Sequence, residues 1–132
     1  MSMALKTLTN MIAEARELPT QEAQAQWLRE KARVAHNNRG IRTMENFVPG
    51  CEHPAWMMCD VIGNKAKFSF STDGADTQGV AGIVIEALTG LTVTEIRNLD
   101  FSEFRDIARY MNNRQQRTLN ALLNCVKDII RG

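Results

Sequence analysis

Apolar residues recur at helical spacing through Leu5, Leu8, Ile12 and Ala15, and the run closes near Leu18-Pro19, because a proline disfavours helix in the residue before it. Thr20 stands where an N-cap belongs. Ala23, Trp27, the aliphatic stem of Lys31 and Val34 then share one face of a second predicted helix, which reaches His36 and is stopped by Asn37-Asn38-Arg39-Gly40. From Asn46 the period shortens to that of extended chain. Gly63-Asn64 is a two-residue hairpin signal that pairs Ile62 with Lys65, Val61 with Ala66, Cys59 with Phe68 and Met57 with Phe70. In that register Met57, Cys59 and Val61 share a face with Ala66, Phe68 and Phe70, while Lys65, Lys67, Ser69 and Ser71 alternate with them. That face is expected in the core, Cys59 included. A hairpin alone is marginal, so Phe47-Val48 is expected to supply a third antiparallel strand.

Asp73 or Asp76 opens the next helix, whose run Val80, Ala81, Ile83, Val84, Ile85, Ala87 and Leu88 is apolar nearly all round, with Gly90 as its stop. A helix of that kind belongs at the centre, lying on the sheet. Thr92-Val-Thr-Glu95 is a capping box with Leu91 and Ile96 placed as a staple, and Asp100-Phe-Ser-Glu103 repeats the device with Leu99 and Phe104, predicting two short helices. A last helix from about Asn113 to Ile130 gathers Leu119, Leu122, Leu123, Val126, Ile129 and Ile130 on one face, with Cys125 at its margin. The fold class is α+β, a small antiparallel three-stranded sheet packed against helices. Residues 1–132 are expected to form one domain, with N-terminal helices over 1–40, a loop and sheet over 45–71 and helices over 73–130.

With 44% hydrophobic and 23% charged residues among 132, the composition is that of an ordinary globular domain with one core. Sixteen basic against fifteen acidic residues leave a net charge of +1, which carries no footprint for nucleic acid. No apolar run approaches the roughly 20 residues of a membrane span, and the start lacks a secretory pattern, so a cytoplasmic protein is expected. Three scattered cysteines make no disulfide framework and agree with a reducing compartment.

One cysteine stands apart. Cys51 lies between Pro49-Gly50 and Pro54, so neither a helix nor a central strand runs through it, and its thiol is presented on a loop. His53 could raise its thiolate fraction or relay a proton, whereas Glu52 acts in the opposite direction; a solvated loop histidine is the plainer alternative. Cys51, His53 and Cys59 are also metal-ligand types, but a tetrahedral site usually wants two close pairs, which are missing. A cysteine hydrolase or thiol peroxidase would need a base oriented by a third group, and His53 is too near in sequence to serve readily.

Asn46-Phe-Val48-Pro-Gly50-Cys51, followed by Trp56 after four intervening residues, resembles the Asn-x-Val-x-Gly-Cys-x-x-x-x-Trp signature of the SufE/CsdE family, sulfur acceptors that partner cysteine desulfurases. Asp76 and the apolar run Gly79 to Leu88 stand in the place of the family's acidic residue and helix, and the likeness covers about the last two-thirds of the chain. The resemblance implies the SufE/IscU-like fold and a protein without a cofactor of its own. It would take persulfide sulfur from a pyridoxal-phosphate (PLP)-dependent cysteine desulfurase onto Cys51, raise desulfurase turnover, and pass the sulfur to an Fe-S scaffold or another acceptor, with no nucleic-acid or membrane partner and with homodimerisation left open. Such a carrier should be a single cysteine without a close thiol partner, because a second thiol could release the sulfur early by forming a disulfide. Asp76 and Arg114 are the supporting residues it implies. Counting back from Leu119 lands the family arginine on Gln115, so the role passes to Arg114 by a one-residue shift, with Arg117 as the alternative. The competing reading is an Fe-S or zinc-binding scaffold-like module using Cys51 and its neighbours.

Overall fold

The computed structural model describes residues 3–131, with side chains from Lys6 onward. Helix α1 (Met3–Arg16) buries Leu8, Met11 and Ala15, leaves Ile12 half-buried, and ends ahead of Pro19 as the sequence predicts. The side chain of Leu5, which the spacing assigns to the same face, lies outside the described residues. Helix α2 (Gln21–Lys31) starts on its expected cap, where the Ala23 N–H donates to Thr20 Oγ1 at 3.0 Å. It stops short of His36. The chain tightens into a 3₁₀ turn over Ala32–Ala35 and leaves it with His36 at φ 27°.

Strands β1 (Ala55–Ile62) and β2 (Lys65–Thr72) pair antiparallel in the predicted register, from Ala55 opposite Thr72 to Ile62 opposite Lys65. The expected third strand does not form. Met44–Asn46 is a 3₁₀ turn and Pro49 has no N–H to offer, so only Phe47 bridges Trp56, with the Val48 N–H donating to the Ala55 carbonyl at 2.8 Å. Single bridges from Asn37 to Phe70 and from Thr92 to Lys65 cover the other edge. The face expected to be apolar is also buried over only part of its length. Met57, Ala66 and Phe70 are buried, Cys59 and Phe68 are half-buried, and Val61 is 58% exposed: near the tip the segment from Leu91 to Val93 covers the β2 side and leaves β1 open.

The central helix is α3 (Ala75–Leu88), which touches α1, α2, the Ala32–Ala35 turn, β2 and the last helix, α6 (Asn113–Arg131). Ten of its residues from Thr77 to Leu88 are buried, and each fully buried aliphatic side chain contributes about 1.5–3 kcal/mol. Two of the ten are glycines for a steric reason. A Cβ at Gly82 would overlap the Lys31 carbonyl, and one at Gly79 would press on the Leu28 carbonyl, so the end of α2 closes onto α3 backbone to backbone. After Gly90 the predicted capping box opens α4 (Val93–Arg97), with both Thr92–Glu95 bonds made. At the second box Asp100 caps through Ser102 instead of Glu103 and starts a 3₁₀ turn (Phe101–Phe104) followed by α5 (Arg105–Ala108). Helix α6 closes the core with Leu119, Leu122, Leu123, Val126 and Ile130 buried and Ile129 half-buried. Among the described residues the architecture is α+β, six α-helices and a two-stranded sheet.

Candidate functional site

The cysteine loop leaves Phe47 and returns as β1 at Ala55, and its turn depends on Gly50, which takes φ 93°, a conformation glycine adopts at little cost. The loop is laid along α6. The Glu52 N–H donates to Thr118 Oγ1 at 3.2 Å, and a Cβ on Gly50 would stand 3.4 Å from that of Ala121. Between these two contacts Cys51 is half-buried and forms, with Gly50, Glu52, Arg114 and Arg117, the wall of a cavity of about 270 Å³. Arg114 pairs with Glu52 at 3.4 Å while remaining 72% exposed, so the pair adds little stability and leaves the guanidinium facing solvent.

Burial pushes the Cys51 thiol up to about 11, and the nearby Cys125 acts in the same direction. At neutral pH only about one Cys51 in ten thousand is then the nucleophilic thiolate. Burial, with Asp128 adding to it, raises Cys125 to about 11 as well. Cys59, expected in the core, is half-buried on β1, and its thiol is raised mainly by burial.

The other sequence-derived candidates gather around the same junction without all reaching the thiol. Asp76 lies in the first turn of α3, where Gln115 Nε2 donates to its Oδ2 at 3.2 Å. Gln115 itself is fixed by a reciprocal cap, its N–H donating to Asn112 Oδ1 at 2.9 Å and its Oε1 accepting the Asn112 N–H at 3.0 Å. The residue beside Asp76 is thus Gln115, while Arg114 and Arg117 face Cys51. His53 is exposed and packs over Gly74, where a Cβ would collide with the imidazole. Among the described residues no three His, Cys, Asp or Glu side chains come together as a metal site requires, so Cys51, His53 and Cys59 are not assembled as ligands.

Residues that sequence reasoning passed over hold the loop's flank. Arg42 lies over the Trp56 ring at 4.7 Å, donates from Nε to Ser71 Oγ at 2.8 Å, and pairs with Asp73 at 2.9 Å. Phe47 meets the same ring edge-on, 6.1 Å between centroids. The resulting clamp explains why a tryptophan is held, half-buried, at the start of β1. Asn46 donates to the Ile41 carbonyl at 3.0 Å, stiffening the segment before the loop instead of the loop itself. No local pattern marks Arg42 in the sequence, since its partners are 14 to 31 residues away.

An α+β fold with a cysteine loop seated between the starts of two helices defines the class, and the sequence comparison gives the family. The chain belongs to the SufE family, described as an Fe-S metabolism associated domain, which matches residues 9–130. No curated protein matched the chain. Among solved structures, a hypothetical protein from Thermus thermophilus, determined in solution, is 21% identical over 95% of this chain and 93% of its own, with a TM-score of 0.75, a likeness of fold. No helix among the described residues is long and apolar enough to cross a membrane.

Proposed function

We propose that this protein accepts sulfane sulfur on Cys51 from a PLP-dependent cysteine desulfurase and passes it on for iron-sulfur cluster assembly. The observation that carries this reading is the seating of Cys51, a turn thiol at the wall of a cavity rimmed by two guanidiniums, in a chain of the SufE family. The transfer is a thiol exchange. The Cys51 thiolate attacks the outer sulfur of the donor's persulfide, the donor's S–S bond breaks, the donor cysteine leaves as thiolate, and Cys51 holds the new persulfide.

The resting thiol is protonated and half-buried, so docking has to draw it into contact with the donor and accept its proton. That arrangement slows the reaction of the free protein with small electrophiles at neutral pH. Arg114, exposed and held by Glu52, is placed to meet an acidic group on the donor, and Arg117 lines the same cavity. Asp76, held by Gln115, supports the junction from the α3 side, and His53, on the neighbouring exposed surface, is the group available to relay a proton.

Desulfurase turnover, followed as alanine formed from cysteine, tests the proposal. Turnover rises when the protein is added and returns to the basal rate with Cys51→Ala. Equal stimulation by wild type and Cys51→Ala would overturn the role given to the thiol.

A further inference from the structure

The edge of β2 that faces away from β1 is covered at two points and open between them. The Ala66 N–H donates to the Leu91 carbonyl at 3.0 Å, and the Phe70 carbonyl accepts the Asn38 N–H at 2.8 Å. In an antiparallel pair alternate residues turn both main-chain groups outward, so Phe68, midway between these two, faces the same edge. Among the described residues its N–H and C=O have no partner. The two covering contacts are four residues apart, about 13 Å along the strand, which admits a chain entering end-on and not a further strand lying alongside.

Behind this gap is a cavity of about 410 Å³ walled by Val34, Ile62, Ala66, Phe68 and Ile85. Its polar side chains are few. Thr89 already donates from Oγ1 to the Ile85 carbonyl at 2.7 Å, which leaves His36, Lys65 and Lys67 to meet a ligand. No acidic residue lines the cavity, and among the described residues neither lysine makes an ion pair, although Asp60 stands opposite Lys67 in the sheet. Lys65 and Lys67 lie on the other face of β2 from Ala66 and Phe68, so apolar wall and cationic rim meet at the open edge. His36 is exposed and holds φ 27°, a conformation that a non-glycine residue keeps only where its surroundings impose it.

We propose that this cavity binds an amphipathic anion, an aliphatic chain ending in a carboxylate. The chain lies among Val34, Phe68 and Ile85, and the carboxylate sits at the rim, where Lys65 and Lys67 supply charge and the open Phe68 N–H one main-chain donor. The volume falls within the roughly 300–1,000 Å³ of small-molecule sites, and an apolar interior with a few polar groups of one sign is their usual chemistry. Charge selects the head group and burial selects the tail. Cys51, at the base of the hairpin, takes no part, so this site stands whether or not that thiol accepts sulfur.

The test follows the amide NMR spectrum of the full chain at neutral pH during titration with hexanoate, octanoate and decanoate, each below its micelle concentration. Shifts should concentrate at Val34, Lys65, Lys67, Phe68 and Thr89, and the dissociation constant should fall about fourfold for each added methylene until the cavity is full. Replacing both exposed lysines, Lys65→Gln with Lys67→Gln, should weaken decanoate about fivefold and leave the Tm unchanged. Val34→Phe, which grows into the cavity, should remove the gain with chain length. Decyltrimethylammonium, with the same tail and the opposite charge, should bind more weakly than decanoate. Equal binding of the two, no gain with chain length, shifts spread over the whole surface, or indifference to the lysine substitutions would overturn the proposal. An extended peptide of alternating Leu and Glu that binds more tightly than decanoate would make this edge a protein-docking site and overturn the small-molecule assignment.

Discussion

At its base the hairpin is enclosed: Ala55 and Thr72 are buried, Trp56 is held by Arg42 and Phe47, and the loop that feeds β1 is fastened to α6 through Thr118 and Ala121. At its tip β1 is open, with Val61 58% and Ile62 62% exposed, and a Cβ at Gly63 would meet nothing, while on the β2 side the Asn64 carbonyl accepts the Val93 N–H at 3.3 Å. Both ends have regular pairing, so strand geometry does not distinguish them. What differs is the third partner. The base is packed by elements distant in sequence, and those elements set the burial of Cys51. At the tip only the β2 side has such neighbours, Leu91 to Val93, and the half-buried Cys59 on β1 keeps apart from the junction.

The comparison can be broken most visibly by titration. Thiolate is the reactive form, so a thiol raised to about 11 gains reactivity as pH rises, and alkylation of Cys51 should accelerate about tenfold per pH unit, roughly a thousandfold from pH 7 to 10. A rate that levels off near pH 8.5 would mean that the base does not enclose the thiol. Two phenylalanines two residues apart on β2 report on packing next. Phe70 is fully buried and Phe68 half-buried, so Phe70→Ala should cost about 3–5 kcal/mol in denaturant unfolding and Phe68→Ala about half as much. Equal losses would erase the gradient.

The two turn glycines give a smaller, cleaner contrast. Gly50 and Gly63 both have positive φ, at 93° and 67°, but only Gly50 faces a neighbour, Ala121. Gly50→Ala should cost about 1–3 kcal/mol and impair sulfur acceptance, whereas Gly63→Ala should cost about 1 kcal/mol and leave acceptance intact. Thr118→Val, which removes the acceptor of the Glu52 N–H, should cost about 1 kcal/mol and hasten alkylation of Cys51 by loosening the loop. An unchanged alkylation rate would show that this hydrogen bond does not govern access to the thiol.

Much of this architecture is legible from local pattern. The hairpin register follows from Gly63-Asn64 and period-2 alternation, the Thr20 cap and the Thr92–Glu95 box from spacing, and the central position of α3 from its apolar circumference. Each depends on residues within a few positions of one another. The errors fall where the answer depends on distant chain. Phe47-Val48 has the pattern of a strand, but the 3₁₀ turn and Pro49 leave it one bridge, and Val61 shares the predicted core face with Ala66 yet is exposed where Ala66 is covered by Leu91.

At the site, the turn at Cys51 is readable from its prolines and glycine, and its cavity with Arg114 and Arg117 is foreshadowed only by the resemblance. Position counting points to Gln115 and residue type to Arg114; the structure puts Gln115 on Asp76 because Asn112 caps α6 and fixes the helix phase. The Arg42 clamp leaves no mark within a short window of sequence, since it arises from the packing of separate elements.

The central claim is that Cys51 receives the sulfur. Its most direct test is the intact mass of the protein after incubation with a cysteine desulfurase and free cysteine, quenched early by alkylation, in wild type and Cys51→Ala. The account predicts the gain of one sulfur atom in wild type, mapped to the Cys51 peptide, and none in Cys51→Ala. The same gain in both proteins, or its location on Cys59, would contradict it.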